Sequence, residues 1–291
     1  MITVIGDLCV DIQVNKNETN YATDTEGKIE FTPGGQANNV AAWIAEEGVK
    51  CQLIGRVGDD PFGQYLVNLL KKQGIIGNIY FDENQQTGKI LVIIDDATKN
   101  RSMVVDRGAN LKLSVSQIKG IESSNLLYIS GYSLFDENIK EAIYHAKEVA
   151  ISNNIPIAID PSSTYFLKEH KEEFIKFLSN ITFMFPNYEE GCLLTNETEP
   201  SKIMRKLKEL VPHPILKLGS EGCMLYDDNN ELIHLPAKQV DVIDTTGAGD
   251  SFIGTFLANY EKTNNKLQSA KKAIDNASKV VTKFGSWPYL K

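Results

Sequence analysis

The residues best suited to chemistry are a glycine-rich turn and the carboxylate that directly follows it. Gly247, Ala248 and Gly249 form the turn, and Asp250 comes next. The largely apolar segment 240–243 predicts a strand, or the approach to one, before the turn. Apolar residues recur at helical spacing after the turn, which predicts a helix that begins there. The pattern therefore places backbone donors and a carboxylate together at the start of a helix.

This turn predicts an anion-binding site, and its carboxylate predicts a reaction there. Unpaired N–H groups and the helix dipole attract anions at a helix N-terminus. Asp250 would repel a resting anion, so the sequence predicts that it accepts the proton of a hydroxyl attacking a bound phosphoryl group. Because an unperturbed Asp titrates at about 3.9, we expect late proton transfer, with orientation providing most of the catalysis. The alternative is an ordinary helix N-terminus without chemistry.

Other common chemistries find less support in the sequence. The glycines are not followed by the Gly-Lys-Ser/Thr of a P-loop, and Phe252 stands where a dinucleotide-binding motif has its last glycine. The four histidines are scattered without metal-ligand spacing, and Ser130 and Ser251 lack a recognisable His-Asp partnership. The pattern therefore favours neither a histidine-bound metal nor a serine hydrolase.

Composition bounds the class of protein. The chain has 291 residues, of which 42% are hydrophobic, so it can bury a large core as one domain with or without a small appendage. A net charge of −8 disfavours nucleic acid as a partner but allows a small anionic ligand. The four cysteines are far apart, without a CxxC pair, which predicts reduced thiols in a cytoplasmic protein. No apolar run reaches the roughly 18 residues that predict a membrane span.

Strand and helix patterns alternate along most of the chain, which predicts an α/β fold with a mostly parallel sheet between helices. Two segments depart from this alternation. Residues 12–33 are polar and irregular, whereas residues 78–108 contain successive strand patterns with turns between them. The strands predicted in the second segment are Ile79–Phe81, Lys89–Asp95 and Arg101–Asp106. A small sheet that stands apart from the main body is therefore expected.

Five segments, in order, resemble the signature blocks of the ribokinase-like (PfkB) carbohydrate kinases. They are GGQANNVA at 34–41, GRVGDDPFG at 55–63, NYEE at 187–190, LGSEG at 218–222 and DTTGAGDSF at 244–252. The resemblance covers essentially the whole chain. It implies a ribokinase-like three-layer αβα sandwich with a mostly parallel central sheet and a small β-sheet lid. In open α/β sheets of this kind, the site is expected at the carboxyl ends of the strands.

The resemblance assigns roles around the reacting centre. Asp250 matches the family's catalytic base, and Gly247, Ala248 and Gly249 match the anion hole that stabilises the moving phosphoryl group.

It also implies that Asp11, Gly35 and Asn39 contact the sugar. Glycine lets the ligand approach the backbone, and an Asn amide offers a donor and an acceptor to a hydroxyl. Without the family, Asp11 would be interpreted as a turn or capping residue, and Asn39 as a helix N-terminal residue.

The nucleotide side is implied in the same way. Glu190 is expected near Mg²⁺, through water rather than by direct ligation, because Mg²⁺ keeps several of its waters. Lys217 stands where many relatives carry Thr. Asn276 is either near the adenine or an exposed helix residue. The residues implied for nucleotide binding are Asn187, Lys217, Gly219, Gly222 and Asn276.

Relatives often bind potassium beside the anion hole, which implies a monovalent-cation site at Asp244 and Thr246, completed by Gly285 and Ser286.

The expected domain division follows from the same resemblance. The core comprises residues 1–11, 34–77 and 109–291, and the lid comprises residues 12–33 and 78–108. Alternation from residue 101 to 107 puts Arg101 and Arg107 on one lid face. Arg107 is therefore a candidate contact to an acidic substrate, or else both arginines belong to a solvated edge that discourages strand pairing.

The function implied by the resemblance is ATP- and Mg²⁺-dependent phosphorylation of a sugar hydroxyl, of the ribokinase, fructokinase or 2-keto-3-deoxygluconate kinase type. A nucleoside or sugar-phosphate kinase on the same scaffold is an alternative, as is a catalytically silent sugar-binding sensor. The expected partners are ATP and a sugar or sugar acid, without nucleic acid or membrane. Because relatives often dimerise through the lid, a homodimer is also an expectation.

Overall fold

A computed structural model describes residues 1–16, 20–95, 101–283 and 285–288 of the chain. Apolar runs such as Ile2–Ile5 and Leu126–Ser130 form several of its strands. For residues 95 and 101, the description covers the backbone and not the side chain. The strands of these described ranges are β1 (Ile2–Ile5), β2 (Cys9–Lys16), β3 (Gly27–Gly34), β4 (Cys51–Gly58), β5 (Ile76–Asp82), β6 (Gly88–Asp95), β7 (Arg101–Asp106), β8 (Leu126–Ser130), β9 (Ile157–Asp160), β10 (Phe183–Met184), β11 (His213–Lys217), β12 (Cys223–Tyr226) and β13 (Leu232–Leu235).

A nine-stranded sheet forms the centre of the described molecule, in the order β13-β12-β11-β10-β9-β8-β1-β4-β5. The strands from β11 to β5 all pair in parallel, whereas β12 pairs antiparallel with both β11 and β13. The predicted mostly parallel sheet is confirmed.

Helices cover both faces of the large sheet. They are α1 (Gln36–Glu46), α2 (Pro61–Lys72), α3 (Glu137–Ser152), α4 (Thr164–Phe177), α5 (Tyr188–Thr195), α6 (Pro200–Leu210), α7 (Ala248–Thr263) and α8 (Lys266–Val280). One apolar cluster includes residues of α1, α2, α7 and α8, and a second includes residues of α3, α4, α5 and α6. Within the described ranges, no helix is long and apolar enough to cross a membrane.

The alternation of side chains along β8 shows how the sheet separates the two clusters. Leu126 and Tyr128 belong to the cluster beneath α1 and α7, whereas Leu127 and Ile129 belong to the cluster beneath α3. Because successive strand residues point to opposite faces, a strand buried on both faces is apolar at every position. The predicted three-layer arrangement is confirmed.

A separate four-stranded sheet has the order β3-β2-β6-β7. Two predictions about it were wrong. Residues 12–16, interpreted as irregular, lie in β2, which pairs antiparallel with β3 and parallel with β6 along its whole length. Ile79–Phe81, assigned to this small sheet, lies in β5, where Ile79 is paired with Gly55 of β4 in the large sheet. An edge strand has the same local pattern in either sheet, so pairing alone decides where it belongs.

Candidate active site

The carboxyl ends of neighbouring parallel strands bring distant polar residues together, as expected. Asp7 closely follows β1, Asp160 is the last residue of β9, Asn187 follows β10 and Lys217 ends β11. The order β11-β10-β9-β8-β1 makes these ends neighbours. Open α/β sheets bind ligands at this edge, outside the ends of the strands.

Asp7 fixes the start of α1, although sequence reasoning did not select it as a site residue. Its buried carboxylate accepts hydrogen bonds from the Gln36 N–H at 3.2 Å, the Ala37 N–H at 3.3 Å and the Ser130 hydroxyl at 3.0 Å. A carboxylate at a helix N-terminus satisfies donors that lack an intrahelical partner. The available signal was an acidic residue immediately after an apolar strand, followed by a glycine-opened helix.

Two adjacent glycines shape the acceptor side of the site, which we define as Asp11, Gly35 and Asn39. A Cβ at Gly34 would lie 2.1 Å from Asp11 Oδ1, so the bare Cα of Gly34 makes room for this carboxylate. Gly35 has φ +90°, and a Cβ there would lie 2.6 Å from the Asp7 carbonyl oxygen. The glycine pair thus allows the Asp11 carboxylate and the Asp7 backbone to lie close to the turn that opens α1.

Asn39 connects α1 to the predicted base. Its side-chain N–H donates to Asp250 Oδ2 at 2.8 Å, and its Oδ1 accepts a hydrogen bond from the Ser286 hydroxyl at 3.3 Å. The Ser286 carbonyl in turn accepts from the Trp43 indole N–H at 2.9 Å. The Ser286 hydroxyl therefore faces Asn39, and the role expected for Ser286 beside a cation stays a prediction. This network holds the Asp250 carboxylate in one orientation at the start of α7.

The surroundings of Asp250 change its acidity. Burial raises its pKa to about 7, assisted by the negative charges of Asp160 and Asp7 and opposed by the hydrogen bond from Asn39 and the positive charge of Lys217. The late proton transfer expected for an ordinary Asp rested on a pKa near 3.9. A carboxylate that titrates near neutral pH is a far better proton acceptor.

This pKa predicts the pH dependence of any reaction in which Asp250 acts as base. Because the ionised form accepts the proton, kcat/KM should fall as the pH drops through about 7, by about tenfold per pH unit on the acid side. Replacing Asn39 by Ala removes a hydrogen bond that favours the ionised form, so the acid limb should move to higher pH. A pH–rate profile between pH 4 and 9 measures both effects. An acid limb centred near the ordinary Asp value would contradict the prediction.

The glycine turn forms the N-terminus of α7. Gly247 caps the helix in the left-handed conformation with φ +73°, and its missing Cβ leaves room for Ser286. The Ala248 N–H donates to the Thr245 carbonyl at 3.2 Å and so takes part in the turn itself. The anion-hole role assigned to Gly247, Ala248 and Gly249 therefore stays a prediction, and for Ala248 it competes with this hydrogen bond.

A cavity of 460 Å³ opens beside this turn. Such a volume lies within the usual range for small-molecule sites. The segment 240–243, predicted to be a strand, forms no strand in the structure, and its Val240 and Val242 line the cavity instead. Val240 and Val242 are two positions apart and both face the cavity. This spacing matches the alternation of a strand, although the segment is not paired in a sheet. The lining residues are Lys217, Gly219, Ser220, Gly222, Ala237, Lys238, Gln239, Val240, Val242, Thr245, Ala248, Gly249, Phe252, Ile274, Ala277, Ser278 and Val281.

Three of the residues predicted to bind the nucleotide thus line the cavity, namely Lys217, Gly219 and Gly222. Gly222 has φ +92°, and a Cβ there would lie 2.0 Å from the Leu235 carbonyl oxygen, so this turn requires glycine. Asn276 is placed differently, because its side-chain N–H donates to the Thr255 hydroxyl at 2.8 Å. Its role near an adenine stays a prediction.

Asn187 and Glu190 form a capping box at the start of α5. The Glu190 N–H donates to the Asn187 side-chain oxygen at 2.8 Å, and the Asn187 N–H donates to a Glu190 carboxylate oxygen at 2.9 Å. Burial and the nearby Asp160 charge raise the pKa of Glu190 to about 8. Asp160, which sequence reasoning missed, forms an ion pair with Lys217. These acids and the lysine lie between the ends of β9 and β11.

The predicted monovalent-cation residues lie in the loop before α7. Asp244 Oδ1 accepts a hydrogen bond from the Thr246 N–H at 2.9 Å, and its Oδ2 accepts one from the Gly285 N–H at 3.2 Å. The loop and the segment 285–288 are therefore joined through one carboxylate. Among the described residues, no group of three or more His, Cys, Asp or Glu is arranged to hold a metal ion.

Arg107 lies on the acceptor side of the site rather than on a free lid face. Its guanidinium is 3.7 Å from Asp7 Oδ2 and lies over the Tyr132 ring at 4.3 Å from the centroid. Its proposed partner on the lid face, Arg101, has a side chain outside the described residues. Of the two arginines considered from the sequence, the structure therefore describes the side chain of Arg107, which contacts the Asp7 carboxylate and the Tyr132 ring.

Asp250 stands where the two halves of the site meet. Asn39 connects it to the acceptor side, whereas the residues just before it in α7, Ala248 and Gly249, line the 460 Å³ cavity. A hydroxyl on one side of the carboxylate and an anionic group on the other could therefore be brought together, with the carboxylate positioned to take the hydroxyl proton.

Known proteins resemble this chain in sequence and in fold. A family model described as pfkB family carbohydrate kinase matches residues 1–288. A probable fructokinase-5 of Arabidopsis thaliana is 28% identical over 311 residues, covering 100% of this chain and 94% of the relative. A ribokinase of Bacillus subtilis (strain 168) is 27% identical over 294 residues, covering 98% of this chain and 94% of the relative.

Solved structures share the fold. A putative ribokinase II from E. coli in complex with ATP and Mg²⁺ matches with a TM-score of 0.88 and 24% identity, covering 98% of this chain and 94% of that chain. A double mutant of fructokinase from Vibrio cholerae O395, bound to fructose, ADP and a potassium ion, matches with a TM-score of 0.84 and 21% identity, covering 98% and 93% of the two chains.

Proposed function

Because the chain belongs to the pfkB family of carbohydrate kinases, we propose that it transfers the γ-phosphoryl group of ATP to a hydroxyl of a sugar or sugar derivative, with Asp250 as the base. The observation that carries this proposal is the position of Asp250, which Asn39 holds at 2.8 Å beside the acceptor side, directly after the turn that lines the 460 Å³ cavity. A pKa of about 7 suits the role of a general base.

In this proposal ATP occupies the 460 Å³ cavity, with its base among apolar side chains such as Val242 and Ile274 and its phosphates toward Gly249. The complex of E. coli putative ribokinase II with ATP and Mg²⁺ supports this choice of nucleotide. Mg²⁺ is usually held by one or two carboxylates together with substrate phosphates. Glu190 is buried, and one of its carboxylate oxygens accepts the Asn187 N–H at 2.9 Å, which leaves lone pairs for a water on the ion, so Glu190 fits Mg²⁺ bound through water. When bound, the ion neutralises phosphate charge.

A potassium ion is a further component of the proposal. Both Asp244 oxygens already accept a backbone hydrogen bond, yet each keeps a lone pair for a cation. The fructokinase double mutant bound to a potassium ion supports this choice.

The small sheet is proposed to act as a lid. Asp11 lies in β2, so the sheet carries one acceptor-side carboxylate directly into the site. Closure over a bound sugar would exclude water and limit ATP hydrolysis. With β5 in the large sheet, the proposed lid consists of β2, β3, β6 and β7.

Charge on the acceptor side favours a neutral sugar. The carboxylates of Asp7, Asp11 and Asp250 outweigh the guanidinium of Arg107, which is already paired with Asp7 at 3.7 Å. A phosphorylated acceptor would bring two further negative charges beside these groups, and like charges placed together cost several kcal/mol. We therefore propose a neutral, hydroxyl-rich acceptor, whose hydroxyls can donate to the carboxylates.

An ATP-consumption screen tests this proposal. Pentoses, hexoses, ketoses, 2-keto-3-deoxy sugar acids, sugar phosphates and nucleosides are compared at equal concentration. We expect kcat/KM for the best neutral sugar to exceed that for any sugar phosphate by about 100-fold or more, because of the like-charge penalty. A preferred sugar phosphate would contradict the charge argument. Sugar binding without ATP consumption by any acceptor would instead indicate a sensor and overturn the kinase proposal.

A further inference from the structure

A buried lysine, Lys217, lies beside the glycine turn and has no role in the reaction as proposed above. Lys217 forms an ion pair with Asp160, and the two side chains are 16% and 2% exposed. A Cβ built on Gly249 would lie 3.4 Å from Lys217 Nζ, so the ammonium lies directly against the backbone of the turn. Lys217 also lines the cavity proposed for ATP.

The ammonium is held in its charged form. Burial by itself lowers the pKa of Lys217, but the ion pair with Asp160 favours the charged form and the pKa is raised above its ordinary value. A lysine ammonium has three N–H donors, and Asp160 is a partner for one of them. Donors therefore remain for an anion in the cavity.

We propose that Lys217 is a catalytic residue that contacts the phosphoryl group during transfer, and that Asp160 is a positioning residue that acts through it. This inference rests on the proposed function. The resemblance places Thr at this position in many relatives, where a hydroxyl supplies only a dipole. Here an ammonium beside the Gly249 backbone supplies a positive charge.

The reaction balances without proton transfer from Lys217. The acceptor oxygen forms a bond to the γ-phosphorus, and the bond from that phosphorus to the β–γ bridging oxygen breaks. The electron pair of the broken bond stays with ADP, and the acceptor proton moves to the Asp250 carboxylate. Lys217 keeps its proton and donates hydrogen bonds to oxygens whose charge changes during the transfer.

The ion pair explains why the contribution should appear in the transition state. With Asp160 in contact, the positive charge of Lys217 is largely compensated in the resting site, which limits its contribution to ATP binding. The buried carboxylate also fixes the ammonium before the reaction, so no reorganisation is needed as charge moves. A flexible, solvated lysine would lack this advantage.

The test uses the variants Lys217→Met, Asp160→Asn and the double variant in the full chain. With the best sugar of the screen, Lys217→Met should lower kcat by about 100-fold and leave KM for ATP within about threefold. Asp160→Asn should lower kcat by about tenfold, because the ammonium remains but loses its anchor. All variants are compared at a pH that keeps Asp250 ionised, because Asp160 and Lys217 both affect its pKa. Under that condition the double variant should match Lys217→Met, because Asp160 is proposed to act through the lysine. The double variant removes both members of the ion pair, so neither is left as an uncompensated buried charge if Lys217→Met alone misfolds.

The matched control is the pair Lys206–Glu197, whose charged atoms are 2.7 Å apart outside the site. Lys206→Met with Glu197→Gln should leave kcat unchanged. If the double variant of Asp160 and Lys217 keeps kcat within about threefold of the natural chain, or if its loss lies entirely in KM for ATP, the inference is overturned while the proposed function stands. A natural chain that phosphorylates no sugar overturns both.

Discussion

Asp250→Asn is expected to lower kcat by about 10²- to 10⁴-fold, because the amide cannot accept the hydroxyl proton. The substitution preserves the size of the side chain and a possible contact with Asn39, which now lies 2.8 Å from Oδ2. Binding of ATP and sugar should therefore persist. ADP release with the best sugar of the screen measures kcat, and calorimetric titration measures the two affinities.

The matched control for this variant is Asp241→Asn, a change of the same kind at an exposed position in the preceding loop. It should leave kcat unchanged. Turnover of the Asp250 variant within about tenfold of the natural chain would mean that the base is another group or that no base is needed.

Gly247→Ala should reduce both turnover and stability. An added Cβ would lie 2.4 Å from Ser286 Cβ and 2.6 Å from its Cα, both too close for real contacts. Ser286 cannot simply move away, because its carbonyl accepts from Trp43 at 2.9 Å. The start of α7 must therefore shift, and Gly249 and Asp250 shift with it. We expect kcat to fall by about 10²- to 10³-fold, as for loss of one oxyanion donor, and the free energy of unfolding by about 3 kcal/mol.

Gly74→Ala separates the steric overlap from the cost of the backbone conformation. Gly74 has φ +71°, close to the +73° of Gly247, but nothing lies within 4 Å of an added Cβ. This control should lose only about 1 kcal/mol of stability, with normal turnover. Urea unfolding and kcat are measured for both variants. Equal results for the two glycines would show that contact with Ser286 is unimportant.

Local sequence patterns predicted most of the large sheet, because its strands are apolar runs and its helices begin at recognisable turns. They could not divide the two sheets correctly. In β2, polar residues such as Asp11 and Gln13 alternate with apolar ones, which is a strand pattern, but the polar segment that follows led to an interpretation of residues 12–33 as irregular. Both neighbouring strands pair with β2 along its length. Pairing partners far apart in sequence, rather than local propensity, decided the assignment of β2 and β5.

The predicted site residues were those that carry short motifs, and the missed ones acquire their roles through long-range contacts. Asp160 is separated by 57 positions from Lys217, and Asp7 by 123 positions from Ser130. Neither lies in a motif, so only the folded chain brings them to the site. The pKa of Asp250 was missed for the same reason, because its causes, burial and the Asp160 charge, come from the tertiary structure.

A single turn of α7 carries both Gly249, at the cavity, and Asp250, beside the acceptor side. Because the two residues are joined by one peptide bond within a helix, their separation cannot change when other parts of the protein move or diverge. The strands that bring Asp11 toward the acceptor belong to a different sheet. Substitutions in that sheet could therefore exchange one sugar for another over evolutionary time, while the spacing between the proposed base and the proposed phosphate site is inherited unaltered.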